Sequence, residues 1–204
     1  MKDNYLFSPK DINTLVEDAA ADVLKSDLIE GNIEESYSWY HGTARNFTIE
    51  LNKLIDKKTM HIDFMTAGNL SLHNIIELMI NRFGKCNNLY ISTWAIKEAA
   101  ARSILAIHNK GLIAKMYGVF DYRIKSVDLK SFQLIEPYFN KYELTKNHAK
   151  VILMEFEETK ITILSSANLS NNPRIEAGYI SFNKQPYYFH INWMTDVLAG
   201  KKVN

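Results

Sequence analysis

A group of side chains in the last third of the chain has the types and spacing to act on a phosphodiester. His148-Ala-Lys150 opens the apolar run Val151-Ile-Leu-Met154, and the polar Glu155-Phe-Glu-Glu-Thr-Lys160 connects it to a second run, Ile161-Thr-Ile-Leu164. That run leads into Ser165-Ser166-Ala-Asn168, then Arg174 and Glu176. If His148 and Lys150 begin one strand, alternation sends both side chains to the same face, roughly 6.5 to 7 Å apart at the backbone. A hairpin between the two apolar runs returns Ser166 and Asn168, again two apart, beside them. An imidazole nucleophile, a fixed cation and two hydrogen-bonding groups then converge, which is what attack on a phosphodiester needs. Arg174 is a further candidate for contact with a neighbouring phosphate.

These residues resemble the phospholipase D superfamily, whose motif reads His-x-Lys, four residues, Asp, then a second strand ending in Gly/Ser-Ser-x-Asn with a Glu shortly after. His148, Lys150, Ser166, Asn168 and Glu176 fall at the corresponding places. Glu155 stands at the aspartate position, Ser165 rather than glycine precedes Ser166, and the hairpin is somewhat longer than in compact bacterial nucleases of the group. The likeness is specific over 148 to 182, continues as a matching element order back to about 61, and leaves residues 1 to 60 without a counterpart.

The resemblance implies a metal-independent phosphodiesterase that needs no cofactor. His148 is expected to attack phosphorus and form a phosphohistidine, Lys150 and Asn168 to hold the non-bridging oxygens with help from Ser166, and Glu176 to bond the other imidazole nitrogen. Superfamily enzymes use two such motifs, one histidine as nucleophile and one to protonate the leaving oxygen. With one motif per chain, the expectation is a two-fold homodimer whose motifs meet at the axis. An endonuclease is the expected kind, because single-motif members resemble nucleases more than lipases and no amphipathic lipid-binding segment is present. The rival reading is a protein that keeps the fold and grips nucleic acid with little or no catalysis, favoured by Glu155 and the near-neutral charge.

A bare His-x-Lys means little in a chain with 6 histidines, and a second copy stands at His108-Asn-Lys110. Its context differs: His108 closes a helical pattern just before Gly111, where a cationic side chain offsets exposed carbonyls, and no Ser-x-Asn follows. His41, His61, His73 and His190 lack metal-ligand spacing, so no metal site is expected. Thr66-Ala-Gly-Asn69 reads as an ordinary turn, with an anion cradle as the weaker alternative. Trp39, Tyr40, Trp94 and Trp193 read as core aromatics rather than a base-stacking surface.

The elements that must position these residues follow from periodicity. His61–Met65, Leu89–Thr93 and Leu112–Tyr117 read as strands. They alternate with helices marked by Leu72, Ile75, Ile76, Met79 and Phe83, capped by Ser71 and ended by Gly84, and by Ile96, Ala100, Ile104 and Ile107, ended by Gly111. A helix around Phe132, Leu134 and Ile135, the hairpin, a strand Ala177–Phe182 and a closing helix with Ile191, Met194, Val197 and Leu198 complete the pattern. This rhythm predicts an α/β fold, a mixed and largely parallel sheet sandwiched by helices, which the resemblance specifies as phospholipase D-like. Ser8-Pro9-Lys10-Asp11 starts an N-terminal helical segment, and residues 1 to 60 are expected to form a helical or irregular extension packed on a catalytic domain spanning 61 to 204.

Length and composition set the bounds. A 204-residue chain that is 47% apolar buries one large core without a disulfide or metal, and Cys86 alone forms no intrachain bridge. That cysteine usage, with no signal peptide or membrane-length apolar run, suggests a cytoplasmic protein. A net charge of +1 gives no global attraction for nucleic acid, so polyanion binding must come from a local patch.

Overall fold

The chain is described by a computed structural model over residues 37–56, 59–170 and 172–201; the helix expected to start at Ser8 lies outside these residues. In chain order the elements are β1 (Tyr37–Thr43), α1 (Ala44–Asp56), β2 (His61–Leu70), α2 (Leu72–Phe83), β3 (Cys86–Thr93), α3 (Glu98–Asn109) and β4 (Ile113–Asp121). There follow α4 (Ile124–Val127), α5 (Leu129–Ile135), a 3-10 turn (Glu136–Tyr138), β5 (Lys141–Thr145), β6 (Val151–Glu155), β7 (Lys160–Ser165), β8 (Asn172–Ser181) and α6 (Lys184–Leu198). The strands form one eight-stranded sheet in the order β1-β2-β8-β7-β6-β3-β4-β5. β1, β2, β7, β3, β4 and β5 run one way, and β6 and β8 run against them. The expected mixed, largely parallel sheet is present, and the expected hairpin is β6–β7, in register from Val151↔Leu164 to Glu155↔Lys160.

The apolar runs explain why β6 and β7 lie inside. Along β6, Ile152 and Met154 face a large core with α2 and α3, whereas Val151 and Leu153 face a smaller one with Tyr187, Met194, Val197 and Leu198 of α6. Both faces are covered, so no polar position interrupts the strand. Gly84 ends α2 at φ 81, and its amide donates to the Ile80 carbonyl at 2.9 Å. Ser71 occupies the N-cap position of α2, but its hydroxyl lies 2.6 Å from His73 Nδ1 instead of capping an amide.

Residues 37–56 correct the expected extension of 1 to 60. β1 pairs in parallel with β2 from Tyr37↔His61 to Thr43↔Ala67, so the sheet begins before residue 61. α1 packs Phe47, Leu51 and Ile55 into the core. Thr66–Asn69 is also corrected. It is neither a turn nor an anion cradle but the end of β2, paired with Glu176 through Pro173 of β8. Trp39, read as a core residue, is 75% exposed.

β7 and β8 approach closely at Gly178, where an added Cβ would run into the Leu164 carbonyl oxygen and lie 2.8 Å from Ser165 Cα and 2.9 Å from Phe64 Cζ. Backbone on one side and a core ring on the other leave nothing to yield. Gly178→Ala is therefore expected to destabilise the protein by about 2 to 3 kcal/mol, measurable as a lower midpoint in urea with unchanged slope.

Candidate active site

The groove that holds the chemistry lies where β3, β4, β5 and β7 end and β6 begins. In open α/β sheets this is the edge at which loops converge and ligands bind. His148 and Lys150 sit in the segment just before β6 rather than within it. Their side chains nevertheless meet: Lys150 Nζ lies 3.1 Å from His148 Nδ1 and 3.4 Å from Nε2, and donates to the His148 carbonyl at 2.6 Å. His148 is exposed and Lys150 is buried. Burial lowers the Lys150 pKa, and the nearby Glu176 carboxylate opposes that shift.

The β7 end supplies the opposing wall. The Ser165 amide donates to the Lys150 carbonyl at 3.1 Å, which holds the two segments together beyond the hairpin ladder. Ser166 is clamped against β8: its amide donates to the Ala177 carbonyl at 2.8 Å, and its hydroxyl oxygen accepts from the Ala177 amide at 3.0 Å. Asn168 is tied from both sides, its side-chain oxygen 3.3 Å from the Thr93 hydroxyl and its carbonyl accepting from the Leu72 amide at 3.3 Å. His148, Lys150, Ser166, Asn168 and the exposed Arg174 line one groove of about 430 Å³.

Glu176 is placed differently from expectation. It is buried on β8 and accepts a hydrogen bond from the Ser166 hydroxyl; the ring of His148 is met by Lys150 instead. The reason is register: β8 pairs with β7 so that Gly178 lies opposite Ser165 and Ala177 bonds Ser166, which brings Glu176 within reach of the serine that begins the return segment. Glu155 lies at the far end of β6, bonded to Asn88 at 2.7 Å and to Lys160, so the substitution at the motif's aspartate position is remote from the groove. His108 closes α3 with its ring against Tyr138, 5.4 Å between centroids, as the helix-end reading expected.

Several residues of the site carried no signal in the sequence. The Asn147 side chain donates to Ser92 Oγ at 3.0 Å and to the Val119 carbonyl at 2.9 Å, and accepts from the Ala149 amide at 3.0 Å. Its own amide donates to Asp121 at 3.1 Å. Asp121 is buried, and hydrogen bonds from the Arg123 guanidinium hold its pKa down to about 2, with the Asn147 amide also contributing. The Arg123 guanidinium stacks over Trp94 at 5.4 Å, and the Trp94 ring lies 6.3 Å from His148. Trp94 therefore lines the groove instead of filling the core. The signal that was available is position: Trp94 follows a predicted strand immediately, at its carboxyl end.

Because the Asn147 side chain satisfies three groups around the segment that bears His148, those of Ser92, Val119 and Ala149, Asn147→Leu leaves buried polar atoms unpaired. It is expected to cost about 2 to 4 kcal/mol of stability by thermal or urea melting.

Among the described residues no cluster of His, Cys, Asp or Glu could hold a metal ion, and no helix is long and apolar enough to cross a membrane. Cys86 is buried with its thiol pushed up to about 12, so it offers no thiolate nucleophile at neutral pH.

No family signature and no curated sequence matches the chain. Solved structures do. NucT from Helicobacter pylori superposes on 68% of this chain and 96% of its own, with a TM-score of 0.53 at 16% identity. Polyphosphate kinase from Porphyromonas gingivalis superposes on 69% of this chain and 26% of its own, with a TM-score of 0.51 at 12% identity. The fold is that of the phospholipase D superfamily. At such identities the likeness establishes architecture, and the activity rests on the residues of the groove.

Proposed function

We propose that this protein is a metal-independent phosphodiesterase, most specifically an endonuclease acting through a phosphohistidine in a homodimer. The observation that carries the reading is the Lys150 ammonium 3.1 Å from the His148 ring, at the mouth of a groove shared with Ser166 and Asn168. In this reading an imidazole nitrogen of His148 attacks phosphorus and the bond to the leaving alkoxide breaks, giving the phosphohistidine. Water then attacks phosphorus, releasing the phosphomonoester and regenerating the imidazole. Lys150 and Asn168 oppose the charge on the non-bridging oxygens, where fixed donors act most strongly. Ser166 adds a hydroxyl, and Glu176 orients that hydroxyl and tempers the Lys150 charge rather than bonding His148 as first expected. The leaving oxygen needs a proton donor, and His148 of a second copy across a two-fold axis supplies it. NucT, a phospholipase D-type nuclease whose whole length this chain nearly spans, favours a nucleic-acid substrate within the class.

The test is cleavage of supercoiled plasmid and of bis(4-nitrophenyl) phosphate in excess EDTA, with sedimentation of the same protein. Cleavage that persists in EDTA, by a dimer, is the expected result. Abolition by the chelator, or a monomer at micromolar concentration that still cleaves, overturns the mechanism. Tight binding of nucleic acid without cleavage identifies the non-catalytic alternative.

A further inference from the structure

An attacking imidazole needs a held orientation, and the carboxylate expected on the His148 ring bonds Ser166 instead. The hold comes from both flanks of the residue. On the backbone side, the Asn147 amide donates to Asp121 Oδ2 at 3.1 Å, and the Asn147 side chain fixes the Ala149 amide at 3.0 Å. On the ring side, the Trp94 indole stands 6.3 Å from the His148 ring at an interplanar angle of 53°. Trp94 is covered in turn by the Arg123 guanidinium, 5.4 Å from its ring centre, and Tyr122 lies 5.7 Å from the same guanidinium.

Both flanks converge on one carboxylate. Asp121, 1% exposed at the end of β4, accepts through Oδ1 from the Arg123 amide at 3.0 Å and from Arg123 Nε at 2.7 Å. Through Oδ2 it accepts from Arg123 Nη2 at 3.1 Å and from the Asn147 amide at 3.1 Å. Four donors fill the four lone-pair sites of a carboxylate, so each site is committed. The bidentate grip fixes the plane of the guanidinium, and that plane is what meets Trp94. With its pKa held down to about 2, Asp121 stays ionised at any pH where an imidazole is a neutral nucleophile.

Building on the phosphodiesterase reading, we propose that Asp121 is a positioning residue for His148, setting its backbone through the Asn147 amide and its ring through Arg123 and Trp94. Arg123 serves here by shape, because Asp121 offsets its charge. Removing the carboxylate frees the segment that leads into β6 and loosens the indole that walls the ring. A nucleophile displaced by about 1 Å loses on the order of a hundredfold in rate even where substrate binding is untouched.

The experiment compares Asp121→Asn, which keeps the size but turns acceptor sites into donors, with Arg123→Lys, which keeps the charge but loses the planar fork. Turnover of bis(4-nitrophenyl) phosphate in EDTA is measured alongside the ring-proton resonance of His148 in isotope-labelled protein, assigned by its absence from His148→Ala. In Asp121→Asn, kcat is expected to fall about ten- to a hundredfold with KM within about twofold, and the resonance to move as the ring current of Trp94 on it changes. Arg123→Lys is expected to lose about three- to tenfold in kcat and to shift the same resonance. The Arg123 side chain is half-exposed, so this second variant decides alone if Asp121→Asn does not fold. Wild-type kcat with an unmoved resonance in the folded variants, even at a lowered melting temperature, overturns the inference, because that is all a merely structural carboxylate predicts. If the wild-type protein does not cleave in EDTA, the phosphodiesterase reading fails, and the resonance still decides whether Asp121 sets the His148 ring.

Discussion

His148→Ala is expected to reduce phosphodiester cleavage on the order of ten-thousandfold or more, while the protein stays folded. The first part follows from the proposed nucleophile: removing the attacking group removes the two-step path, and the surrounding donors retain only their own modest assistance. The second follows from the structure. The His148 side chain is exposed, and its backbone is held by neighbours, with Asn147 anchored to Ser92, Val119 and Asp121, and Ala149 anchored to Asn147. Lys150 loses a ring contact but keeps the carbonyl of residue 148 at 2.6 Å. The melting temperature should therefore move by no more than about 0.5 kcal/mol implies. Single-turnover cleavage of an oligonucleotide in EDTA, with acid quenching to trap labelled protein, checks both the rate and the covalent adduct. A His148→Ala protein that cuts at the wild-type rate removes the residue from the mechanism.

Lys150→Met carries the second largest effect, and stability and activity should diverge. The ammonium is buried with its pKa lowered, so placing the charge there opposes folding; methionine keeps most of the stem and removes that charge. Stability should stay within about 1 kcal/mol of wild type or rise slightly. Turnover should fall on the order of a hundredfold, the scale of one preorganised electrostatic contact. The pH dependence separates the two causes further. With the folded pKa below the usual 10.5, the unfolded chain holds this proton more tightly, so through that interval this group's contribution favours folding as pH rises. Activity that depends on the ammonium falls over the same interval. Glu176 raises the Lys150 pKa, so Glu176→Gln should move the alkaline limb of kcat/KM to lower pH. A limb that does not move in Glu176→Gln, or a Lys150→Met protein with wild-type turnover, removes Lys150 from the site.

Local physics made much of this legible. Periodicity located α2, α3, β6, β7 and the closing helix, because each carries a broad apolar face or an unbroken apolar run that no competing structure buries as well. Other elements, α1 and β5 among them, were silent. α1 packs Phe47, Leu51 and Ile55 into the core with Ala44 and Leu54 beside them, in a segment expected to be an extension, and β5 is a short edge strand whose Lys141-Tyr-Glu-Leu-Thr145 mixes polar and apolar residues. Thr66–Asn69 looked like a turn because Gly and Asn break local order, yet its pairing with β8, distant in sequence, keeps it in the sheet.

The chain's own spacing determined that His148, Lys150, Ser166 and Asn168 would share a face, since alternation and a hairpin are short-range properties of the backbone. Which other groups would join them was decided by the tertiary structure alone. Trp94 follows β3, Asp121 and Arg123 stand at the end of β4 and Asn147 follows β5, and nothing local in the sequence links these three strand ends. Glu176 likewise turned to Ser166 because the register of β8 against β7, with Gly178 opposite Ser165, sets its neighbours. Periodicity encodes which way a side chain points, whereas the partner it meets depends on how distant strands align when the sheet closes.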